Sequence, residues 1–96
     1  MKREDFRILI IDDDEIARDV VVNLLSKEGY PVTSAKDGID GIKSLRMDHF
    51  DLIITDLRMP GADGIEVLKT AQTLSPDSAV VILTAYGTLD NALKAV

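Results

Sequence analysis

Apolar residues fall into short continuous runs separated by longer amphipathic stretches. Ile8 to Ile11 is one run, Leu52 to Ile54 a second and Ala79 to Leu83 a third. Runs without polar alternation suit strands buried on both faces of a parallel sheet. Pro31 to Ala35 is a weaker strand candidate, and its leading proline fits an edge position.

The intervening stretches carry helical spacing. Ile16, Val20 and Leu24 form one i, i+4 row, and Ala17, Val21 and Leu25 form a second row beside it. Gly29 supplies a stop. Ile39, Ile42, Leu45 and Met47 give a shorter face, and Ile65, Val67, Leu68, Ala71 and Leu74 a third, closed by Ser75-Pro76-Asp77. Leu89, Ala92, Leu93 and Val96 predict a fourth helix, with Thr88 as its N-cap. The order β-α-β-α-β-α-β-α predicts an α/β layered fold with right-handed crossovers. The last pattern stops at Val96 with no Gly, Pro or polar residue after it, so a chain cut inside a larger domain is expected.

Composition narrows the chemistry. A chain of 96 residues and 10.5 kDa predicts one domain. Eleven Lys and Arg against seventeen Asp and Glu leave a net charge of −6, which argues against direct nucleic-acid binding. Without cysteine there is no disulfide framework, thiolate metal site or thiol nucleophile. No apolar run approaches the roughly 18–20 residues of a membrane span, and the N-terminus does not read as a signal peptide. A cytoplasmic address and no membrane partner are expected.

Polar residues gather where the strands end. The first run leads into Asp12-Asp13-Asp14, the second into Thr55-Asp56 and the third into Thr84-Ala85. In an open parallel sheet the functional crevice lies beyond the carboxyl ends of the strands. Clustered carboxylates repel by about 1 kcal/mol per pair at ~4 Å in water, and about 4 at an effective dielectric of 20. Such a cluster invites a hard divalent cation, and all-oxygen ligation points to Mg²⁺. Mg²⁺ with open positions favours phosphoryl chemistry, in which an aspartate can serve as nucleophile and Thr84 as hydrogen-bond donor. Each acid taken alone has a plainer reading as a helix cap or turn residue, and Asp14 suits an N-cap best.

ILIIDDDE, FDLIITDLRMPGADGIEVL and AVVILTAYGTLDNALKAV, in this order and spacing, resemble the receiver domains of two-component response regulators, over the whole chain. The last block looks most like receivers of sigma-54 activator proteins. The resemblance implies a flavodoxin-like doubly wound sheet of strand order 2-1-3-4-5. It implies Asp56 as phosphoacceptor, with Mg²⁺ held by Asp13, Asp56 and the Arg58 backbone carbonyl, and by Asp12 through water. Thr84 would bond the phosphoryl group and Ala85 would line the pocket. Pro60 and Gly61 would shape the loop beside Asp56, and Gly64 would admit the third helix. A histidine kinase and an output domain outside this chain are the implied partners.

The family's fifth strand, with its lysine, and its fifth helix have no counterpart here, and Lys94 does not replace that lysine. A sheet of order 2-1-3-4 then exposes the edge of Ala79 to Leu83, so dimerisation or strand exchange is expected. Two other readings remain. Asp12-x-Asp14 also suits a phosphatase with Asp12 as nucleophile and Asp14 as acid/base, although Asp56 then has no role. A receiver-like interaction module that is never phosphorylated is the other. His49 reads as solvent-exposed, Tyr86 as packing or loop, Met47 and Met59 as packing, and Gly38 and Gly41 as turn and helix-start positions.

Overall fold

The computed structural model describes residues 2–83. The fourth helical pattern, with Thr84, Ala85 and Tyr86, lies outside them. After a short 3₁₀ turn at Arg3–Asp5 come β1 (Ile8–Ile11), α1 (Glu15–Lys27), β2 (Val32–Ala35), α2 (Gly38–Met47), β3 (Leu52–Asp56), α3 (Gly64–Leu74) and β4 (Ala79–Leu83). All pairings are parallel and the order is β2-β1-β3-β4. This is the sheet order expected from the sequence.

Each helix starts on an aspartate. Asp14 accepts the N–H groups of Ile16 and Ala17, Asp37 that of Asp40, and Asp63 that of Glu66. Gly29 ends α1 with φ of +94°, a backbone shape that favours glycine. β3 runs two residues past its apolar stretch, because Thr55 is fully buried and continues the pairing to Asp56.

The strand register separates two faces. Leu9, Ile11, Ala35 and Ile53 meet Leu45 of α2 and Val67 and Ala71 of α3, with Phe50 beneath them. Ile8 and Ile10 share the other face with Leu52 and Ile54 of β3 and Val81 and Leu83 of β4. There α1 lies over β1 and β2. Cover falls away across this face: Ile8 and Ile10 are buried, Leu52 and Ile54 half-buried, Val81 and Leu83 exposed. The continuous run Ala79–Leu83 suggested a strand buried on both sides, yet no described element covers β4 on the α1 side.

The two apolar rows of α1 part company for the same reason. Ala17, Val21 and Leu25 are half-buried against the sheet, whereas Ile16, Val20 and Leu24 are 78%, 54% and 61% exposed. A right-handed crossover places α1 antiparallel to the strands. The hand of the helix then turns the row Ile16, Val20, Leu24 toward β3 and β4. The result is an apolar trough with α1 as its wall and the open face of β3 and β4 as its floor.

Candidate metal centre

β1 and β3 are adjacent and in register, Ile11 opposite Thr55. The residues that follow, Asp12 and Asp13 on one strand and Asp56 on the other, therefore emerge side by side at the carboxyl end of the sheet. One carboxylate oxygen from each of Asp12, Asp13 and Asp56 lies within 4.8 Å of the other two. Asp12 and Asp56 are half-buried and Asp13 is exposed. Asp14 stands apart, its side chain committed to the start of α1.

The surroundings hold these groups in place. The Asp12 carboxylate accepts the Asp14 N–H at 2.9 Å, and Arg18 reaches back from α1 to donate to the Asp12 carbonyl at 2.9 Å. The Asp56 carboxylate accepts the Leu57 N–H at 2.8 Å, and the Arg58 N–H also favours its charged form. Burial nonetheless pushes the Asp56 carboxyl above the ordinary aspartate range, helped by the charge of Asp12 and then of Asp13.

A site of this donor set suits Mg²⁺. The three carboxylates offer only hard oxygen ligands on one side, and solvent reaches Asp13, leaving room for water or a phosphoryl oxygen. The acids also repel one another until a cation joins them, which adds to the effect of burial in raising the Asp56 carboxyl.

The structure brings together Asp12, Asp13 and Asp56. Arg58 lies in the adjoining loop with its residue surface exposed, and Thr84 lies outside the described residues. His49, read as exposed from the sequence, is exposed, although its Nδ1 is 2.9 Å from the Ser75 hydroxyl. Sequence reasoning missed Arg18 and the Leu57 N–H. Neither has a signature, since one acts through a reach back along its own helix and the other through a main-chain donor.

A family model for the response regulator receiver domain matches residues 8–96. The transcriptional regulatory protein ZraR of Klebsiella oxytoca is 39% identical over 95 residues, 99% of this chain and 21% of that protein. Sporulation initiation phosphotransferase F of Bacillus subtilis is 37% identical over 84 residues, 88% of this chain and 68% of that protein. The response regulator TrrA of Thermotoga maritima, solved in complex with Mg²⁺-BeF, superposes with a TM-score of 0.79 at 32% identity, covering 94% of this chain and 78% of that one. The chain spans about a fifth of the length of the transcriptional regulator.

Proposed function

Since the chain belongs to the response regulator receiver family, we propose that it accepts a phosphoryl group on Asp56 from a histidine kinase. The observation that carries this reading is the meeting of Asp12, Asp13 and Asp56 within 4.8 Å. An oxygen of the Asp56 carboxylate attacks phosphorus in line. The P–N bond to the kinase histidine breaks, and its electron pair leaves with the imidazole nitrogen, which takes up a proton. Asp56 becomes an acyl phosphate. The Leu57 and Arg58 N–H groups orient its carboxylate for attack.

Asp13, Asp56 and the Arg58 carbonyl would hold Mg²⁺, with Asp12 acting through water. The bound ion would supply positive charge against the phosphoryl oxygens. Thr84 would donate to the phosphoryl group. The chain modifies itself and turns over no separate substrate. The new charge beside the loop after β3 would bias an output domain outside this chain, a transcriptional one by analogy with ZraR. With its net charge of −6, this piece leaves DNA contact to that domain. A cytoplasmic address fits a kinase-coupled role, and no helix among the described residues is long and apolar enough to cross a membrane.

Intact mass after treatment with a small phosphodonor and Mg²⁺ tests the reading. One phosphate adduct is expected, absent when EDTA replaces the metal. A folded chain that takes no adduct would leave the non-phosphorylated interaction module as the better account. The phosphatase reading is disfavoured because Asp14, its acid/base, is occupied as a helix cap.

A second copy is the proposed partner of the β4 edge, unpaired among the described residues, and of the apolar trough beside it. Unpaired edges and exposed apolar faces are templates for association. Sizing with light scattering should show a dimer or larger species, and Val20→Lys with Leu24→Lys should reduce it. A monomer at high concentration would overturn the dimer.

A further inference from the structure

The loop from Leu57 to Asp63 joins the end of β3 to the start of α3, and on the Mg²⁺ reading its Arg58 carbonyl is a ligand. Its two ends are tied to each other and to the sheet. The Leu57 N–H bonds both the Asp56 carboxylate and the Leu83 carbonyl, and the Gly64 N–H bonds the Leu57 carbonyl at 2.8 Å. A side chain on Gly64 would stand 2.9 Å from the Leu57 Cα, so glycine lets α3 start hard against the end of β3.

Between these ties, the Gly61–Ala62 segment rests on the first turn of α2. A Cβ on Gly38 would collide with the Ala62 carbonyl oxygen and lie 2.7 Å from its carbon. Ala62 is buried there. One residue on, the Ile39 side chain lies over Gly61, so that a Cβ at Gly61 would meet Ile39 Cδ1 at 2.7 Å. Gly38 does not have a left-handed backbone, so the site needs its empty space and not its flexibility. Two helix residues thus support one side of the loop that follows Asp56.

We propose that Gly38 is a positioning residue for the metal site: the bare first turn of α2 seats the Gly61–Ala62 segment and thereby fixes the Arg58 carbonyl beside Asp12, Asp13 and Asp56. This rests on reading those groups as a Mg²⁺ site. The mechanism is steric. A methyl at position 38 displaces Ala62, and a short loop tied at Leu57 and Gly64 passes that displacement on to Arg58. Mg²⁺ tolerates little of it, because it demands near-octahedral ligands at about 2.0–2.1 Å.

The test compares Gly38→Ala, Ile39→Ala and Gly41→Ala in the same chain. Gly41 is the control: it lies one turn along α2, and its Cβ would press on the Ile11 side chain instead of the loop. Calorimetric titration with MgCl₂ should show affinity falling about tenfold in Gly38→Ala and roughly threefold in Ile39→Ala, as for groups that orient metal ligands. Gly41→Ala should lose melting temperature yet bind Mg²⁺ like the native chain. In the metal-free state, the Arg58 and Met59 amide signals should shift in the first two variants and not in the third. Should Gly38→Ala fail to fold, Ile39→Ala decides on the same two readouts, its residue being exposed. Native Mg²⁺ affinity with unshifted Arg58 and Met59 signals in the folded variants would overturn the proposal. A native chain that takes up no Mg²⁺ would overturn the metal reading beneath it, and the amide signals would then judge the seat alone.

Discussion

Asp56→Asn should abolish the phosphate adduct and, in the absence of metal, make the protein more stable at neutral pH. The first effect follows from chemistry: the amide oxygen is a poor nucleophile and forms no acyl phosphate. The second follows from electrostatics. Burial and the charges of Asp12 and Asp13 raise the Asp56 carboxyl in the folded chain above its unfolded value. Ionised Asp56 therefore costs native stability. That cost is fully present above the raised folded value and disappears as pH falls through it toward the unfolded value near 3.8. Asparagine removes the charge and keeps an oxygen for the Leu57 N–H. The like-charge repulsion is about 1 kcal/mol per close pair in water, and exposure at Asp13 screens part of it. A gain of about 1 kcal/mol would raise the melting temperature by roughly 4–8 °C for a chain of this size. Thermal melts in EDTA should show the variant above the native chain at pH 7, with the gap closing toward pH 4. Mg²⁺ should close it as well, by stabilising the native chain more than the variant. A variant that melts no higher than native at pH 7 in EDTA would contradict the account of the cluster.

That a single substitution should both silence the site and relieve the fold reflects how the site is built. The sequence already put acids after adjacent apolar runs, and parallel pairing of β1 with β3 was enough to bring Asp12, Asp13 and Asp56 together. The element order was legible because runs and helical rows alternate cleanly. The choice between the two rows of α1 was not. Ile16, Val20 and Leu24 are as apolar and as regularly spaced as Ala17, Val21 and Leu25. Only the sheet's twist of connection decides which row faces it. Periodicity was equally silent on β4, whose apolar run promised burial on both faces that no described element supplies on the α1 side. Gly38 and Gly41 read as turn and helix-start positions, and they are the first residue and an interior residue of α2. The contact of Gly38 with Ala62 joins residues on separate elements and has no local pattern. Arg18 was hidden for a related reason, because its partner is a carbonyl and a carbonyl is the same at every position.

Phe50→Ala should bring the chain close to its unfolding midpoint at 37 °C without harming the chemistry of whatever fraction stays folded. Phe50 is 1% exposed and closes the base of the core formed by Leu9, Leu45, Ile53, Val67 and Ala71. The Arg7 guanidinium lies 5.2 Å from the centre of its ring, so truncation also uncovers a cation–π contact. Buried Phe→Ala changes cost about 3–5 kcal/mol, because the transfer term and the residual cavity add. Native stabilities run about 5–15 kcal/mol, and a chain of 96 residues belongs toward the lower end. The loss would therefore consume most of the margin. Phe50→Leu keeps most of the buried volume and should cost well under half as much. Urea unfolding followed by far-UV circular dichroism measures both, and a loss below about 1 kcal/mol for the alanine variant would show that Phe50 is not the keystone its burial implies. The site should respond differently. Phe50 lies just before β3 and precedes Asp56 by six residues, roughly 20 Å of extended chain. At low temperature, where the variant refolds in part, phosphate uptake per folded molecule should match the native chain while total uptake tracks the folded fraction. Substitution at Gly38 should do the reverse, lowering uptake per folded molecule, and the pair of variants would separate what the core contributes from what the loop seat contributes.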